Sequence, residues 1–555
     1  MNQTLFVPKL FTIIADSKYG YRDIRRDAIA GLTVAIVALP LAMALAVASG
    51  ATPDKGLVTA VIAGFLISFL GGSRVQIGGP TGAFVVVVFN VIAQYGYDGL
   101  LLATLIAGFI LIAAGYARMG QIIKFIPRPV VTGFTAGIAV IIASSQVKDF
   151  LGLKIQDVPA DFIPKWQAYL SHLNTIDFTT LAIGVGALFI IVALKRFAPR
   201  LPGYLVAVVV SSLFVILLHL PVETIGTRFP DIPSGLPVPS LPEWSFVKIQ
   251  AVLPSAFTIA FLAGIEALLS AVVADGMTGF KHRSNQELVA QGFANIASSF
   301  FGGLPATGAI ARTATNIKAG GKTPFAGVFH ALFLLLFMLF ASGLMAFVPL
   351  AALAAILFIV AWGMSETKHF VHIFKASSSD RAILLLTFFL TVLVDLTVAI
   401  AVGVVLASLL FMKHMSKSVE ISFNTSASFG RGEEEDQRRK LPRGVEVFRI
   451  TGPVFFGMAG DLLDTLKRMG QMPKILIIRM RLVPFLDTTG AGAIETIIKE
   501  CRKNGTVVIL SAVQKQPQEI LSKFSLGHDG TSIYYADDYD TAIQMTKKLF
   551  GKPVS

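Results

Sequence analysis

The chain has 555 residues, of which 54% are hydrophobic and only 15% are charged. Its mean hydropathy of +0.71 excludes a soluble globular protein, because many apolar runs are long enough to cross a bilayer. The net charge of +13 does not indicate nucleic-acid binding, since most lysines and arginines lie in short loops beside apolar runs, as in the positive-inside pattern. Composition therefore predicts a polytopic α-helical membrane protein.

Residues 1–27 are polar and charged, so we expect a retained cytoplasmic N-terminal segment without a cleavable signal peptide. Residues 28–414 then form a predicted transmembrane domain. The long loops 148–176 and 221–249 carry no basic excess, which places them outside and both termini in the cytoplasm. The domain contains fourteen predicted helices: 28–49, 56–71, 80–94, 98–117, 130–147, 177–195, 203–220, 250–273, 284–301, 310–319, 324–346, 349–363, 381–394 and 396–414.

Two interrupted apolar segments share one layout. Residues 68–72 and 299–303 each end a helix with Gly-Gly, residues 79–83 and 305–309 form a break that contains Pro, Gly and Thr, and a short apolar run follows. Interrupted segments at matching positions of two halves are typical of transporter binding sites. A helix that starts inside the membrane directs unpaired N–H groups and a positive dipole end at its site. We therefore predict an anion site between inverted repeats of seven helices each, about 28–220 and 250–414.

The composition changes after Met415. Residues 415–443 form a predicted polar linker with an acidic and then a basic run, and residues 444–555 alternate between extended and helical patterns. This alternation predicts a small cytoplasmic α/β domain with a mostly parallel sheet. The predicted strands are 446–450, 474–480, 506–512 and 532–535, and the predicted helices are 458–469, 488–503, 517–524 and 539–550.

Two charged residues are candidates for the transport chemistry. Glu266 lies deep in a predicted span, where a carboxylate is costly unless it faces a cavity, has a partner or is protonated, so it is a candidate proton carrier. The alternative is a structural carboxylate that caps a nearby half-helix. Arg312 lies in the second break and offers bidentate donors to a carboxylate or sulfate. Alternatively it pairs with Glu266 or snorkels.

Small residues in both breaks allow backbone N–H groups to approach a ligand, although they would also allow close helix packing. They are Thr81, Gly82, Ala83, Gly308, Ala309 and Ala311. Leu41 and Leu45 are candidates for an apolar wall. Asp395, between two short spans, is explained by an N-cap on the last helix.

Several ordered motifs extend through the chain, among them Ala30-Gly31-Leu32-Thr33-Val34, Gly78-Gly79-Pro80-Thr81, Ser284-Asn285-Gln286-Glu287-Leu288 and Ala311-Arg312-Thr313-Ala314-Thr315-Asn316. Together they resemble the SulP family of anion transporters (sulfate permeases), relatives of prestin and pendrin. Residues 444–555, with Asp487-Thr488-Thr489-Gly490 opening a helix, resemble the STAS domain that this family carries at its C-terminus. In appearance the chain is closest to the bacterial C4-dicarboxylate-transporting branch.

The resemblance implies a homodimer in the bacterial inner (plasma) membrane that takes up C4-dicarboxylates with protons. It also implies an elevator mechanism in which a core domain (predicted helices 1–4 and 8–11) moves against a gate domain (5–7 and 12–14). Arg312 and Thr313 would contact substrate, Glu266 would be the coupling carboxylate, and Ser270 follows one turn later, where sodium-coupled relatives have a hydroxyl. Leu41 stands where the family often has Gln, which removes one polar group from the pocket. Bicarbonate or sulfate transport, sodium coupling, and a STAS-based signalling scaffold are the alternatives.

We expect no catalytic residues, metal or cofactor. His282, His330, His369 and His372 lack metal-ligand spacing, and no nucleophile or nucleotide motif is present. Thr489 occupies the position where soluble STAS regulators carry a phosphorylated hydroxyl, with an ordinary helix cap as the alternative. The expected partners are a small anion, a proton or sodium ion, the lipid bilayer, a second copy of the chain and cytosolic proteins that bind the STAS domain.

Overall fold

The structure is a computed structural model, and it describes residues 6–15, 19–121, 127–155, 158–159, 161–199, 201–230, 235–394, 396–417, 419–423, 441–467 and 472–550. The chain divides into two compact units, Met1–Ala407 and Ser408–Ser555. The predicted cap at Asp395 and the charged run of the predicted linker lie outside the described residues.

The first unit is built almost entirely of helices. Within the described residues, nine helical segments are long and apolar enough to cross a bilayer, which confirms the predicted polytopic helical fold. The helices are α1 (Lys9–Ala15), α2 (Tyr21–Ala48), α3 (Pro53–Leu70), α4 (Val85–Tyr116), α5 (Arg128–Ser145), α6 (Val147–Leu151), α7 (Phe162–Ser171), α8 (Phe178–Phe197), α9 (Gly203–Leu217), α10 (Ile225–Arg228), α11 (Phe246–Thr278), α12 (Ser284–Phe300), α13 (Ile310–Lys318), α14 (Phe325–Met345), α15 (Leu350–Met364), α16 (Thr367–Phe374), α17 (Ser378–Leu393) and α18 (Leu396–Lys417), the last of which continues into the second unit.

Each predicted membrane helix has a counterpart, with two differences. The predicted helices 80–94 and 98–117 are joined in α4, but Gly96 divides it with a φ of 73° and a ψ of 178°. A positive φ is accessible to glycine at low cost, so the chain bends there without a loop. The short helices α1, α6, α7, α10 and α16 lie in segments without a predicted helix, because they are too short to produce a membrane-length apolar run.

Glycines bring several helices into backbone contact. A Cβ on Gly56 of α3 would lie 2.1 Å from the carbonyl oxygen of Ala42 in α2. Similarly, a Cβ on Gly108 of α4 would lie 2.7 Å from the carbonyl oxygen of Gly292 in α12. Because lipid provides no hydrophobic driving force between helices, such close packing supplies much of the association energy.

The two predicted breaks meet inside the first unit. After α3 the chain forms the short strand β1 (Gly78–Gly79) and a 3₁₀ turn (Gly82–Phe84) that leads into α4. After α12 it forms β2 (Thr307–Gly308), which leads into α13. β1 and β2 pair in antiparallel fashion, with Gly78 opposite Gly308 and Gly79 opposite Thr307. This pairing places the starts of the two half-helices next to each other.

The second unit contains a five-stranded sheet in the order β3-β4-β5-β6-β7. β3 is antiparallel to β4 and the remaining pairs are parallel, as predicted for a mostly parallel sheet. Its elements are β3 (Glu420–Phe423), β4 (Val445–Thr451), α19 (Ala459–Lys467), β5 (Ile475–Leu482), α20 (Thr488–Lys503), β6 (Val507–Ser511), α21 (Lys515–Lys523), β7 (Ile533–Ala536) and α22 (Tyr539–Phe550).

β3 corrects the predicted linker 415–443. α18 continues to Lys417 and β3 follows almost at once, so the start of this segment is regular secondary structure. The signal for β3 in the sequence is weak, because a four-residue edge strand is defined by its pairing with β4 and not by its own periodicity. Two apolar clusters cover the two faces of the sheet, one around Phe448 and Leu476 and the other around Val447 and Ile477.

Candidate anion-binding site

A cavity of about 440 Å³ lies where the two breaks meet. Its walls come from α2, α5, α9, α11 and α15 together with the residues of both breaks. Most of the wall is apolar. Nine of the predicted site residues line the cavity: Leu41, Leu45, Thr81, Gly82, Ala83, Glu266, Ala309, Ala311 and Arg312.

The two half-helix starts have no side-chain caps. Thr81 precedes the 3₁₀ turn and Ala309 precedes α13, and neither side chain accepts a hydrogen bond from the backbone N–H groups that follow. Helices leave their first N–H groups without intrahelical partners, and here no Ser, Asp or Asn side chain takes them up. Both starts therefore present partial positive charge beside the cavity.

Glu266 of α11 faces this cavity and is half-buried. Its Oε2 accepts a hydrogen bond of 2.7 Å from the Thr81 hydroxyl. The hydroxyl that could have capped the first half-helix thus bonds to the carboxylate. This contact connects the first break directly to the candidate proton carrier, and it joins residues that are 185 positions apart in the chain.

Arg312 is only 2% exposed, and none of its three guanidinium nitrogens has a hydrogen-bond partner among the described residues. The alternative in which Arg312 hydrogen-bonds to Glu266 is therefore not observed. Its side chain lies against Gly79, where an added Cβ would be 2.1 Å from Nη1. Glu266 attracts this cation electrostatically, but a buried guanidinium without hydrogen bonds is costly, so an anion in the cavity would supply hydrogen bonds that the described residues do not.

Three predicted site residues do not line the cavity. Thr313 Oγ1 accepts hydrogen bonds from the Ile77 N–H at 3.1 Å and from the Ser270 hydroxyl at 3.3 Å. Gly308 packs so closely on Gln76 that an added Cβ would lie 1.4 Å from Nε2. Ser270, Thr313 and Gly308 therefore pack around the paired breaks and do not line the cavity.

Several polar residues of the cavity were not predicted. Thr135, Lys195, Tyr204 and Glu366 line it from α5, α8, α9 and the turn after α15. Lys195 and Glu366 are exposed, so the cavity opens toward the ends of helices that carry them. Sequence alone gave no signal for this set, because their association depends on how α5, α8, α9 and α15 pack around the breaks.

Glu287 is a second carboxylate, for which no role was predicted. It is fully buried on α12, where it accepts hydrogen bonds from the N–H groups of Gly72 and Ser73 at 2.8 and 3.1 Å and from Gln291 at 2.8 Å. These donors satisfy its charge and fix the chain where α3 ends. Its spacing of four residues from Gln291, on one helix face, was the available signal.

In the second unit, the N-cap of α20 is Asp487, whose Oδ1 accepts a hydrogen bond of 2.7 Å from the Gly490 N–H. Thr489 is exposed in the first turn of the same helix. Its hydroxyl is therefore not needed as the cap. Among the described residues, no group of three or more His, Cys, Asp or Glu side chains is placed to hold a metal ion.

Comparisons with known proteins place these observations in a family. Residues 24–387 match the model of the sulfate permease family, and residues 439–534 match the STAS domain. The chain is 40% identical over 524 residues to "Putative sulfate transporter YvdB" of Bacillus subtilis, covering 94% of this chain and 98% of that protein. It is 33% identical over 531 residues to "Bicarbonate transporter BicA" of Picosynechococcus sp., covering 92% of each.

A solved structure of the murine Solute Carrier 26 family member A9 anion transporter in the inward-facing state matches with a TM-score of 0.85. The match covers 97% of this chain and 94% of that one at 19% identity, which shows a shared fold. Fold, site and relatives define a multi-pass membrane transporter and not an enzyme. The chain belongs to the sulfate permease (SulP) family and carries a C-terminal STAS domain.

Proposed function

We propose that the protein is a secondary active transporter that takes up a small anion together with a proton. The observation that carries this proposal is that two charged residues line the same cavity between two uncapped helix starts: the carboxylate Glu266 and the buried Arg312, which has no hydrogen-bond partner among the described residues. The guanidinium and the backbone N–H groups bind the anion, with Arg312 as a bidentate donor.

Electrostatics in the cavity couples the anion to the proton. An ionised Glu266 repels an anion bound beside it, because two negative charges a few ångströms apart interact unfavourably in the reduced dielectric of a protein cavity. Protonation of Glu266 removes that repulsion, so proton and anion bind together and leave together. Ser270 faces Thr313 and does not line the cavity, which favours a proton over a sodium ion that would need this hydroxyl.

A C4-dicarboxylate is the substrate class we propose. One carboxylate binds Arg312, and the methylene groups contact the apolar wall that includes Leu41 and Leu45. Sulfate or bicarbonate is the second candidate, favoured by the names of the relatives YvdB and BicA. Both are compact anions that the same guanidinium and helix starts would hold.

The arrangement of helices suits an elevator mechanism. The breaks, α2 and α11 belong to the predicted core domain, and they line the cavity together with α5, α9 and α15 of the predicted gate domain. Movement of the first group past the second carries the bound anion across the membrane. Lys195 and Glu366 at the mouth lie on the side that the charge pattern assigns to the cytoplasm, so we assign this conformation as open to the cytoplasm. The homodimer and the cytosolic partners of the STAS domain stay predictions.

Uptake by the purified protein in liposomes tests this function. The panel is labelled succinate, sulfate and bicarbonate, each with and without an inward proton gradient and with and without a sodium gradient. Arg312→Ala serves as the transport-dead control. We expect succinate to accumulate only with the proton gradient. Accumulation of sulfate or bicarbonate in its place would support the second candidate, and uptake that follows sodium alone would contradict proton coupling.

A further inference from the structure

The chain enters the second unit at one edge of its sheet. The parallel strands β4, β5, β6 and β7 all end at this edge, which we call the carboxyl edge. β3 is antiparallel to β4, and its first residue Glu420 pairs with Thr451, the last residue of β4. Because α18 ends at Lys417, the membrane helix joins the domain at the carboxyl edge.

The end of α18 is held against this edge by direct contacts. The Ser416 hydroxyl donates a hydrogen bond of 3.2 Å to the carbonyl oxygen of Gly457 and lies 2.9 Å from Sδ of Met458. Val419 packs next to Gly452, since a Cβ added to Gly452 would be 3.1 Å from Cγ2 of Val419. The 3₁₀ turn Phe456–Met458 is therefore positioned where α18 ends.

The carboxyl edge also carries exposed apolar side chains. Phe456 is 58% exposed, Leu482 45% and Phe485 48%, and among the side chains described in residues 441–465 and 472–549 these are the large hydrophobic ones that the structure leaves exposed. Phe456 lies in the turn that follows β4, Leu482 is the last residue of β5 and Phe485 lies in the loop after it. The two segments are adjacent, because the Val454 N–H donates to Phe485 O at 2.9 Å and the Phe456 N–H donates to Asp487 Oδ2 at 3.0 Å. Confinement of such side chains to one edge of a domain marks an interaction surface.

Charge indicates what this surface contacts. Arg481 is exposed at the end of β5, and Lys413 and Lys417 are exposed in the last turns of α18. Aromatic side chains beside basic ones at the end of a membrane helix are typical of the lipid–water interface. We propose that the carboxyl edge docks onto anionic phospholipid around α18. Phe456, Leu482 and Phe485 enter the headgroup layer, and Arg481 contacts lipid phosphate.

Site-directed spin labelling of the full chain in liposomes tests this proposal. Labels are placed at Phe456→Cys and Phe485→Cys, and Lys503→Cys is the matched control at the far end of α20, about 24 Å along the helix. The wild-type chain provides the background, because Cys501 is its one cysteine and is fully buried. Burial also raises the pKa of the Cys501 thiol to about 11, which keeps it unreactive at neutral pH.

We expect the labels at 456 and 485 to be severalfold more accessible to oxygen than to a water-soluble nickel complex, relative to the label at 503. The difference increases when phosphatidylglycerol replaces part of the phosphatidylcholine, and Arg481→Gln reduces that lipid dependence, while Lys413 and Lys417 retain part of it. Labels as accessible to nickel as the control would overturn the proposal. Labels shielded from both reagents would also overturn it, because a protein surface, such as a second copy, would then cover the edge. Label accessibilities that are the same with and without phosphatidylglycerol would refute the contact between Arg481 and lipid phosphate.

Discussion

Replacing Gly79 with alanine tests the role of Arg312 without changing it. The new Cβ would lie 2.1 Å from Arg312 Nη1 and 3.3 Å from Cζ, so the guanidinium has to move by about 1 Å to restore ordinary contact distances. Hydrogen bonds are effective over only about 0.5 Å of donor–acceptor distance, so a shift of this size breaks those to a bound anion. The φ of 147° at Gly79 adds backbone strain for any other residue.

The expected loss is that of one charge-assisted hydrogen bond or more, about 1.5–3 kcal/mol, which lowers anion affinity about tenfold to hundredfold. Isothermal titration in nanodiscs measures it. Gly78→Ala is the matched control, because its Cβ would clash with Ile67, 2.2 Å from Cδ1 and 2.8 Å from Cβ, and not with Arg312. Wild-type affinity in Gly79→Ala, or equal losses in both variants, would refute the assignment of Arg312 as the anion donor.

Three further predictions concern the site and the fold. Arg312→Ala weakens anion binding more than Arg312→Lys, because lysine keeps the charge, and Thr81→Phe blocks the cavity. Titration measures the anion affinity of the three variants. Gly56→Ala lowers the free energy of unfolding by about 1–3 kcal/mol relative to Gly276→Ala, whose Cβ would meet nothing within 4 Å, and thermal unfolding measures the difference. Burial opposes the ionisation of Asp529, but hydrogen bonds from a side-chain hydroxyl and three backbone N–H groups hold its pKa well below its usual range. We therefore expect Asp529→Asn to reduce the hydrogen-exchange protection of β7 at pH 7. The difference from the wild type becomes smaller as the pH falls below about 4, because the unfolded chain then binds the proton.

The parts of the site that sequence predicted are those with local signals. Gly-Gly followed by Pro, Gly and Thr marks a helix end and restart wherever it occurs in an apolar run, so the breaks at 79–83 and 305–309 were predictable. Glu266 was conspicuous because carboxylates are rare in hydrocarbon. The strands and helices of the second unit followed from periodicity, apart from β3, which depends on its partner strand.

The contacts that decide function join distant parts of the chain and have no local signal. The hydrogen bond from Thr81 to Glu266 and the fit of Gly79 against Arg312 depend on the β1–β2 pairing. The sequence does not decide whether Arg312 hydrogen-bonds to Glu266 or to an anion, because both are groups that an arginine can bind. The structure shows that the Arg312 guanidinium has no hydrogen-bond partner among the described residues and that the Ser270 hydroxyl donates to Thr313.

Transport by a Glu266→Gln variant in liposomes decides whether Glu266 couples anion transport to protons. Glutamine keeps the shape of the side chain and mimics the protonated carboxyl without releasing a proton. We expect that this variant still exchanges labelled anion across the membrane at equal concentrations but does not accumulate it when a proton gradient is imposed. A Glu266→Gln variant that concentrates the anion with the pH dependence of the wild type would show that Glu266 does not carry the coupled proton.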